Sequence, residues 1–354
     1  MTSFETARAA VVPADKDAAR AALERQAQLT KPPGSLGGLE DLGVQLAAIA
    51  GAVPPPVPAP VTVAVFAGDH GVVAEGVTPW PQDVTAQMLL NFATGGAAIN
   101  VLARHLGAEV VVVDVGVATD LPGESPAVVS ERVRRGTRNF VNEPAMTADE
   151  TSAALDVGAS LGGRAIDGGA RMLVTGEMGI GNTTAATALI AAVTGADPHV
   201  IAGPGAGADA AMVAHKGDVI SRALGRFELP ADALTVLAEV GGLEIAALVG
   251  YITAGAARRI PILLDGLIAN AAAIIAVETT PAVGDYLIAG HRSKEPAAAR
   301  ALEHLGLAPI LDMQLRLGEG SGAALAAPIV QAAARILGEM ATFDSAGVSR
   351  KSAP

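Results

Sequence analysis

Apolar residues recur at three- and four-residue spacing over 15–29 and again over 39–49, the interval at which an α-helix returns to one face. Two one-sided helices are therefore expected ahead of any sheet. Short β-branched runs follow at 61–66, 110–115, 172–175, 260–264 and 286–289, alternating with helical stretches such as 83–106. Runs of this kind, each followed by a helix, predict a mainly parallel sheet with crossover helices. The chain closes with a long alanine-rich helical stretch, 322–340, whose most economical partners are the helices at the other end. The expected layout is an α/β fold: a large Rossmann-like domain over 60–320, a small helical domain built from 1–55 and 321–345, and a fraying tail over 346–354. The uncharged stretch 42–68 is no membrane span, because Pro54, Pro55, Pro56, Pro58 and Pro60 break any helix there.

Composition narrows this picture. Of 354 residues 51% are hydrophobic but only 3% aromatic, so the apolar mass is Ala, Val, Leu and Ile, which suits helices on a buried sheet better than a β-sandwich. A net charge of -12 repels phosphate backbones and anionic lipid, so neither nucleic acid nor membrane is an expected partner. Any anionic ligand must be held by local donors. The absence of cysteine removes disulfides, thiolate nucleophiles and Cys-ligated zinc, and the first 17 residues carry Glu5, Asp15 and Asp17 without an apolar segment. The cytoplasm is the expected compartment.

In an open parallel sheet the ligand crevice lies outside the carboxyl ends of the strands. The residues there are acids and glycines: Asp69-His70-Gly71, Asp114, the segment from Gly176 to Thr184, and Asp265-Gly266. In that long segment, Gly176-Glu177-Met178-Gly179-Ile180-Gly181-Asn182-Thr183-Thr184, a buried strand enters a glycine-rich turn and an alanine-rich helix leaves it. Free backbone amides and the helix dipole can cradle a phosphate there. The spacing fits neither a Walker loop nor a dinucleotide fingerprint, and a plain strand-to-helix turn is the competing account. A second segment, Gly203-Pro204-Gly205-Ala206-Gly207, precedes a helical stretch carrying Lys216; it is either a clamp for the same phosphate or a loop with a solvated lysine. In the third, Arg316-Leu317-Gly318-Glu319-Gly320-Ser321-Gly322, Glu319 is either a general base or an acid complementing a helix N-terminus. Burial would raise its pKa and helix amides would lower it. His70 and His291 are acid–base candidates or structural histidines; their spacing calls for no metal site. Arg132, Arg134, Arg135 and Arg138 either steer an anion or form a solvated turn face.

Taken in order, these segments resemble the nicotinate-nucleotide–dimethylbenzimidazole phosphoribosyltransferase family of cobalamin biosynthesis. The resemblance runs from Lys31-Pro32-Pro33-Gly34-Ser35-Leu36-Gly37 through Gly68-Asp69-His70-Gly71 and the Gly176–Thr184 segment, then Val240-Gly241-Gly242, Leu263-Leu264-Asp265-Gly266 and the Arg316–Gly322 segment. It implies a homodimer with active sites near the subunit contact, and transfer of ribose phosphate from nicotinate mononucleotide to 5,6-dimethylbenzimidazole. Glu319 matches the family's proton acceptor and Glu177 a second acid. Gly176, Gly179, Ile180, Gly181, Asn182, Thr183, Gly203, Gly205 and Lys216 fall where the nucleotide's phosphate and ribose are held. Trp80, Pro81, Met88, Met178 and Leu317 fall at the base pocket, where the family varies; Trp80 and Met88 are either a platform for a flat ring or core or interface residues, so the acceptor base stays open. Asp69, His70, Asp265 and His291 are further candidates around the site.

The residue chemistry agrees on its own terms. A nicotinate nucleotide carries a cationic leaving group that departs as a neutral ring, so no general acid is required. The acceptor must lose one N–H as its other nitrogen attacks, which one positioned carboxylate can accept. No pyrophosphate needs neutralising, and no metal or other cofactor is called for. Glu177 or a neighbouring acid could help a cation-like ribose. Two other classes compete: a non-catalytic module that binds nicotinate mononucleotide, and a nicotinamide-dependent oxidoreductase, which the poor dinucleotide fingerprint disfavours.

Overall fold

Every residue of β1, Val61–Gly68, is buried, as a strand covered by helices on both faces requires. In the computed structural model, which describes residues 1–121 and 127–349, β1 lies inside a parallel sheet with β2 (Glu109–Gly116), β3 (Val128–Ser130), β4 (Met172–Met178), β5 (Ile262–Leu264) and β6 (Leu287–Ala289). The strand order is β3-β2-β1-β4-β5-β6. The order reverses between β1 and β4, and at such a switch point the two flanking loops diverge and leave a crevice. Register sets the crevice floor: Phe66 pairs with Glu177 and Ala67 with Met178, so the loop after β1 and the turn after β4 begin side by side.

The expected strands all form. The edge strand β3 was not foreseen. Two helical expectations need correcting. Three helices, not two, precede the sheet: Ser3–Ala10, Lys16–Gln26 and Gly38–Ala50. The first has one buried residue, Phe4, so it shows no apolar periodicity. It packs on helices Ala148–Asp167 and Leu243–Ala257 of the α/β layers, and the Phe4 amide donates to Asp156 at 2.8 Å. The stretch 83–106 is two helices, Asp83–Ala93 and Ala98–Leu106, parted at Gly95, whose φ of +79° lies in the left-handed region.

Helix Leu243–Ala257 is buried from Leu243 to Ala256, and Leu267–Thr279 is buried over its first ten residues, so these two form the interior of one helical layer. The closing helix Ser321–Glu339 packs on Gly38–Ala50 and on Ala98–Leu106, bringing the two ends of the chain together. Ala22, Leu29, Ala47 and Leu337 make a separate small core there, and Arg25 reaches across to the carbonyls of Leu337 and Gly338. By length and composition Ser321–Glu339 is apolar enough to cross a membrane, but its apolar face is buried within the protein. Just ahead of the expected tail, Phe343–Ala346 is a short helix capped by Thr342, and the Phe343 amide donates to the Gln28 carbonyl. Residues 350–354 of that tail lie outside the described residues.

Candidate active site

A cavity of about 370 Å³ opens at the carboxyl ends of β4, β5 and β6. A cavity of about 500 Å³ between Ser3–Ala10 and Ala233–Val240 lies away from the strand ends and holds none of the glycine turns. The site is therefore the smaller one.

Glu319 lines this cavity and is 6% exposed. It sits in a run of three left-handed residues, Gly318, Glu319 and Gly320, with φ of +86°, +65° and +88°. Only glycine takes that conformation freely, and a glutamate there costs about 1–2 kcal/mol. Tertiary contacts hold it: Asp265 at the end of β5 accepts the amides of Gly320, Gly322 and Ala323 at 3.2, 2.7 and 3.0 Å. Asp265, not Glu319, thus complements the start of helix Ser321–Glu339. Glu319 Oε2 instead accepts the Ile99 amide at 3.2 Å, in the first turn of another helix, Ala98–Leu106. Both influences anticipated for Glu319 are present, and burial wins over the Ile99 amide. With Asp265 nearby, the carboxyl is raised above the usual range.

Glu177, the penultimate residue of β4, is also buried against the cavity. Burial, reinforced by the negative charge of Asp265, Glu244 and Glu319, pushes it up to about 8, although the Asn182 amide donates to its Oε2. At neutral pH it is mostly a neutral acid, so a fixed negative charge is not its resting state. A Cβ on Gly318 would stand 2.3 Å from Glu177 Oε1, which is why the turn carrying Glu319 needs glycine before it.

The turn after β4 is Gly179–Gly181, and helix Asn182–Thr194 follows with Gly181 as its cap. Gly179, Ile180, Asn182 and Thr183 line the cavity. Gly181 lies behind them against Val73 and His70, and Gly176 belongs to β4, where a Cβ would strike the Glu319 carbonyl at 2.7 Å. Gly176 is therefore a close-approach glycine rather than a ligand-facing one. Gly205 reaches the same cavity from loop 203–207. Lys216, on helix Ala210–Leu224, is buried rather than solvated: its Nζ donates to the Gly203 carbonyl at 3.3 Å and to Thr183 Oγ1 at 3.4 Å, linking the two glycine-rich segments. Burial lowers its pKa, against the pull of Glu295.

The cavity is also lined by Trp80, Met88, Met178 and Leu317. Trp80 and Leu317 are 48% and 58% exposed, so they stand at the mouth rather than in a core. The Trp80 indole N–H donates to the Ala206 carbonyl at 2.8 Å, tying the mouth to loop 203–207. Pro81 is exposed and is not among the lining residues. His291 lines the cavity, its Nε2 3.4 Å from Asp265 Oδ1. Burial disfavours its imidazolium, but Asp265 outweighs that and raises its pKa. Asp69 and His70 are fully buried behind the turn after β4 and do not line the cavity. Asp69 accepts from Thr85 and the Ala118 amide, and His70 pairs with Glu244 at 2.7 Å. The arginines at 132, 134, 135 and 138 are all in ion pairs, with Asp114, Asp120, Glu143 or Glu150. Among the described residues no three His, Asp or Glu side chains are grouped as metal ligands.

A phosphoribosyltransferase family model matches residues 11–348. The nicotinate-nucleotide–dimethylbenzimidazole phosphoribosyltransferase of Salinispora tropica is 52% identical over 362 residues, covering 98% of this chain and all of its own. The chain belongs to the nicotinate-nucleotide–dimethylbenzimidazole phosphoribosyltransferase family. The namesake from Chloroflexus aggregans is 52% identical over 340 residues, covering 96% of each chain. A crystal structure of the Thermus thermophilus family member superposes with a TM-score of 0.91 at 47% identity, over 95% of this chain and 100% of that one.

For a phosphoribosyltransferase of this family, three residues at or behind the cavity were given no role from the sequence. Glu244 is a lone acid in the apolar run 243–257, and that isolation is a signal of a buried, partnered carboxyl. Glu295 accepts the Gly205 amide at 2.9 Å, and Arg316 donates to the Gly205 carbonyl at 2.6 Å. Nothing local marks either of them as a partner of loop 203–207.

Proposed function

We propose that the chain transfers the phosphoribosyl group of nicotinate mononucleotide to a ring nitrogen of 5,6-dimethylbenzimidazole or a related base, giving α-ribazole 5′-phosphate and nicotinate for the lower ligand of cobalamin. One observation carries the reading: a single cavity holds a buried carboxyl, Glu319, without a cationic partner among the described residues, and both glycine-rich segments, joined through Lys216. Phosphate would lie against Gly179, Ile180, Asn182, Thr183, Gly205 and Lys216, where amides and one ammonium offset its charge. The base would enter between Met88, Met178, Trp80 and Leu317, whose apolar surfaces suit a flat ring.

In the reaction the acceptor nitrogen forms a bond to C1′ while the bond from C1′ to nicotinate breaks, its electron pair returning to the pyridine ring. The proton on the second azole nitrogen passes to Glu319. A carboxylate raised by burial is a stronger base than one in water, which brings it closer to the azole it must deprotonate. Glu177, as a neutral acid beside Asn182, serves by hydrogen bonding to the ribose rather than by opposing a positive charge. Alignment of the two rings along one cavity supplies the rest.

In this reading the working form is a cytoplasmic homodimer, whose partner would cover the exposed Trp80 and Leu317 at the mouth, and the step belongs to nucleotide loop assembly. The chain divides into a catalytic α/β domain over 60–320 and a helical domain from 1–55 and 321–345, with the first helix, Ser3–Ala10, docked on the α/β layers. The test is a chromatographic assay with nicotinate mononucleotide and competing acceptors: dimethylbenzimidazole, benzimidazole, adenine and a phenol. Nicotinate and a ribosylated base should appear together in equal amounts. Tight binding with neither product would point to a non-catalytic binding module.

A further inference from the structure

Glu295 caps helix Pro296–Leu305, is 4% exposed and faces the cavity. Its Oε1 accepts the Gly205 amide at 2.9 Å, while Oε2 has no hydrogen-bond partner among the described residues. Loop 203–207 is wrapped around this carboxylate: a Cβ on Gly203 would stand 2.0 Å from Oε2, so that position has no room for a side chain. Lys216 is in the same corner, since a Cβ on Gly205 would lie 3.2 Å from its Nζ. Arg316 closes the other side through the Gly205 carbonyl. A backbone amide, a buried ammonium and an internal carboxylate thus already make the arrangement that a bound phosphate would need.

A phosphate dianion brought to this corner competes with that carboxylate for the Gly205 amide and for the field of Lys216, and in a water-poor cavity the two negative charges repel strongly. A free anion has only its own contacts to offset the displacement. A phosphate attached to a sugar and ring already bound along the cavity arrives at high effective concentration. We propose that Glu295 is a specificity-determining residue of the donor site: it holds the anion corner of the empty enzyme and yields it to a phosphate tethered to the bound nucleotide, while refusing free inorganic phosphate and sulfate.

This inference rests on the placement of the donor phosphate proposed above, and calorimetry on the full-length protein separates the two. Sulfate and nicotinate mononucleotide are titrated separately into the wild type, Glu295→Gln, Glu295→Ala and Lys216→Ala. Removing the competing carboxylate should tighten sulfate by roughly 10- to 100-fold in both Glu295 variants, the strength of one charged hydrogen bond, and tighten the donor by less. A residue that merely supports the loop would give no gain in affinity. Unchanged or weaker sulfate binding in variants that melt cooperatively would overturn the proposal while leaving the phosphate site intact. Unchanged donor affinity in Lys216→Ala would remove the phosphate from this corner and the proposal with it. Should neither Glu295 variant fold, the Gly205 amide resonance of the wild type decides: it should move on saturation with nicotinate mononucleotide and stay put in equal sulfate, and a shift in sulfate would overturn the idea.

Discussion

Asp265 holds the backbone on the far side of Glu319: one of its oxygens accepts the Gly320 amide and the other those of Gly322 and Ala323. The same carboxylate helps to raise the pKa of Glu319. One buried acid therefore fixes the position of another and adds to the effect of burial on its basicity, across a sequence gap that only the fold closes.

Asp265→Ala removes three charge-assisted hydrogen bonds at the start of Ser321–Glu339 and releases a left-handed turn. Stability to urea should fall by about 2–4 kcal/mol. Turnover should fall with it even where the variant remains folded. A variant with normal turnover would show that the Glu319 turn holds itself.

Glu319→Gln keeps the shape of the side chain and loses the base, so turnover should drop roughly 10²- to 10⁴-fold with little change in donor affinity. The wild type should lose activity as pH falls through the raised pKa of this group, because only the ionised form accepts a proton. That acidic limb should be absent from the residual activity of the variant. A limb that persists would assign it to another group.

Lys216→Ala should weaken nicotinate mononucleotide binding by roughly 10- to 100-fold, the worth of one buried charged contact, and slow the bound-state step much less. Single-turnover kinetics set beside equilibrium titration tells the two effects apart. Loss confined to the chemical step would move Lys216 out of the phosphate site.

Glu177 carries a stability signature. Its folded pKa of about 8 lies above the usual 4.5, so the folded state holds a proton that the unfolded chain has released between those values. Its contribution is neutral below about 4.5 and turns increasingly unfavourable as pH rises to about 8. Glu177→Gln should therefore be the more stable protein at alkaline pH, by on the order of 5 kcal/mol, with the difference closing toward acid. Denaturant midpoints at several pH values check this, and a difference independent of pH would count against the buried-acid account.

The strands β1, β2, β4, β5 and β6 were readable because each lies in a short apolar run bounded by turn or helical signals, and the helices at the two ends of the chain because apolar residues recur along them at helical spacing. The helix Ser3–Ala10 was not, since a single buried side chain leaves no period to find, and neither was the edge strand β3. The glycine turns pointed to the right end of the sheet, but not to why each glycine is there. Gly176, Gly203 and Gly318 make room for Glu319, Glu295 and Glu177 respectively, partners that stand far away in the chain or on another loop.

By itself the order of residues determined the α/β class, the parallel strands and the loops that carry acids and glycines, because periodicity and turn chemistry act over a few neighbours. Tertiary structure alone decided which acids share one cavity, that Lys216 is buried between two loops, that Asp265 rather than Glu319 caps the last helix, and that Glu177 rests protonated. Those outcomes depend on burial and on charges brought close through space, and both are set by residues that stand far apart along the chain.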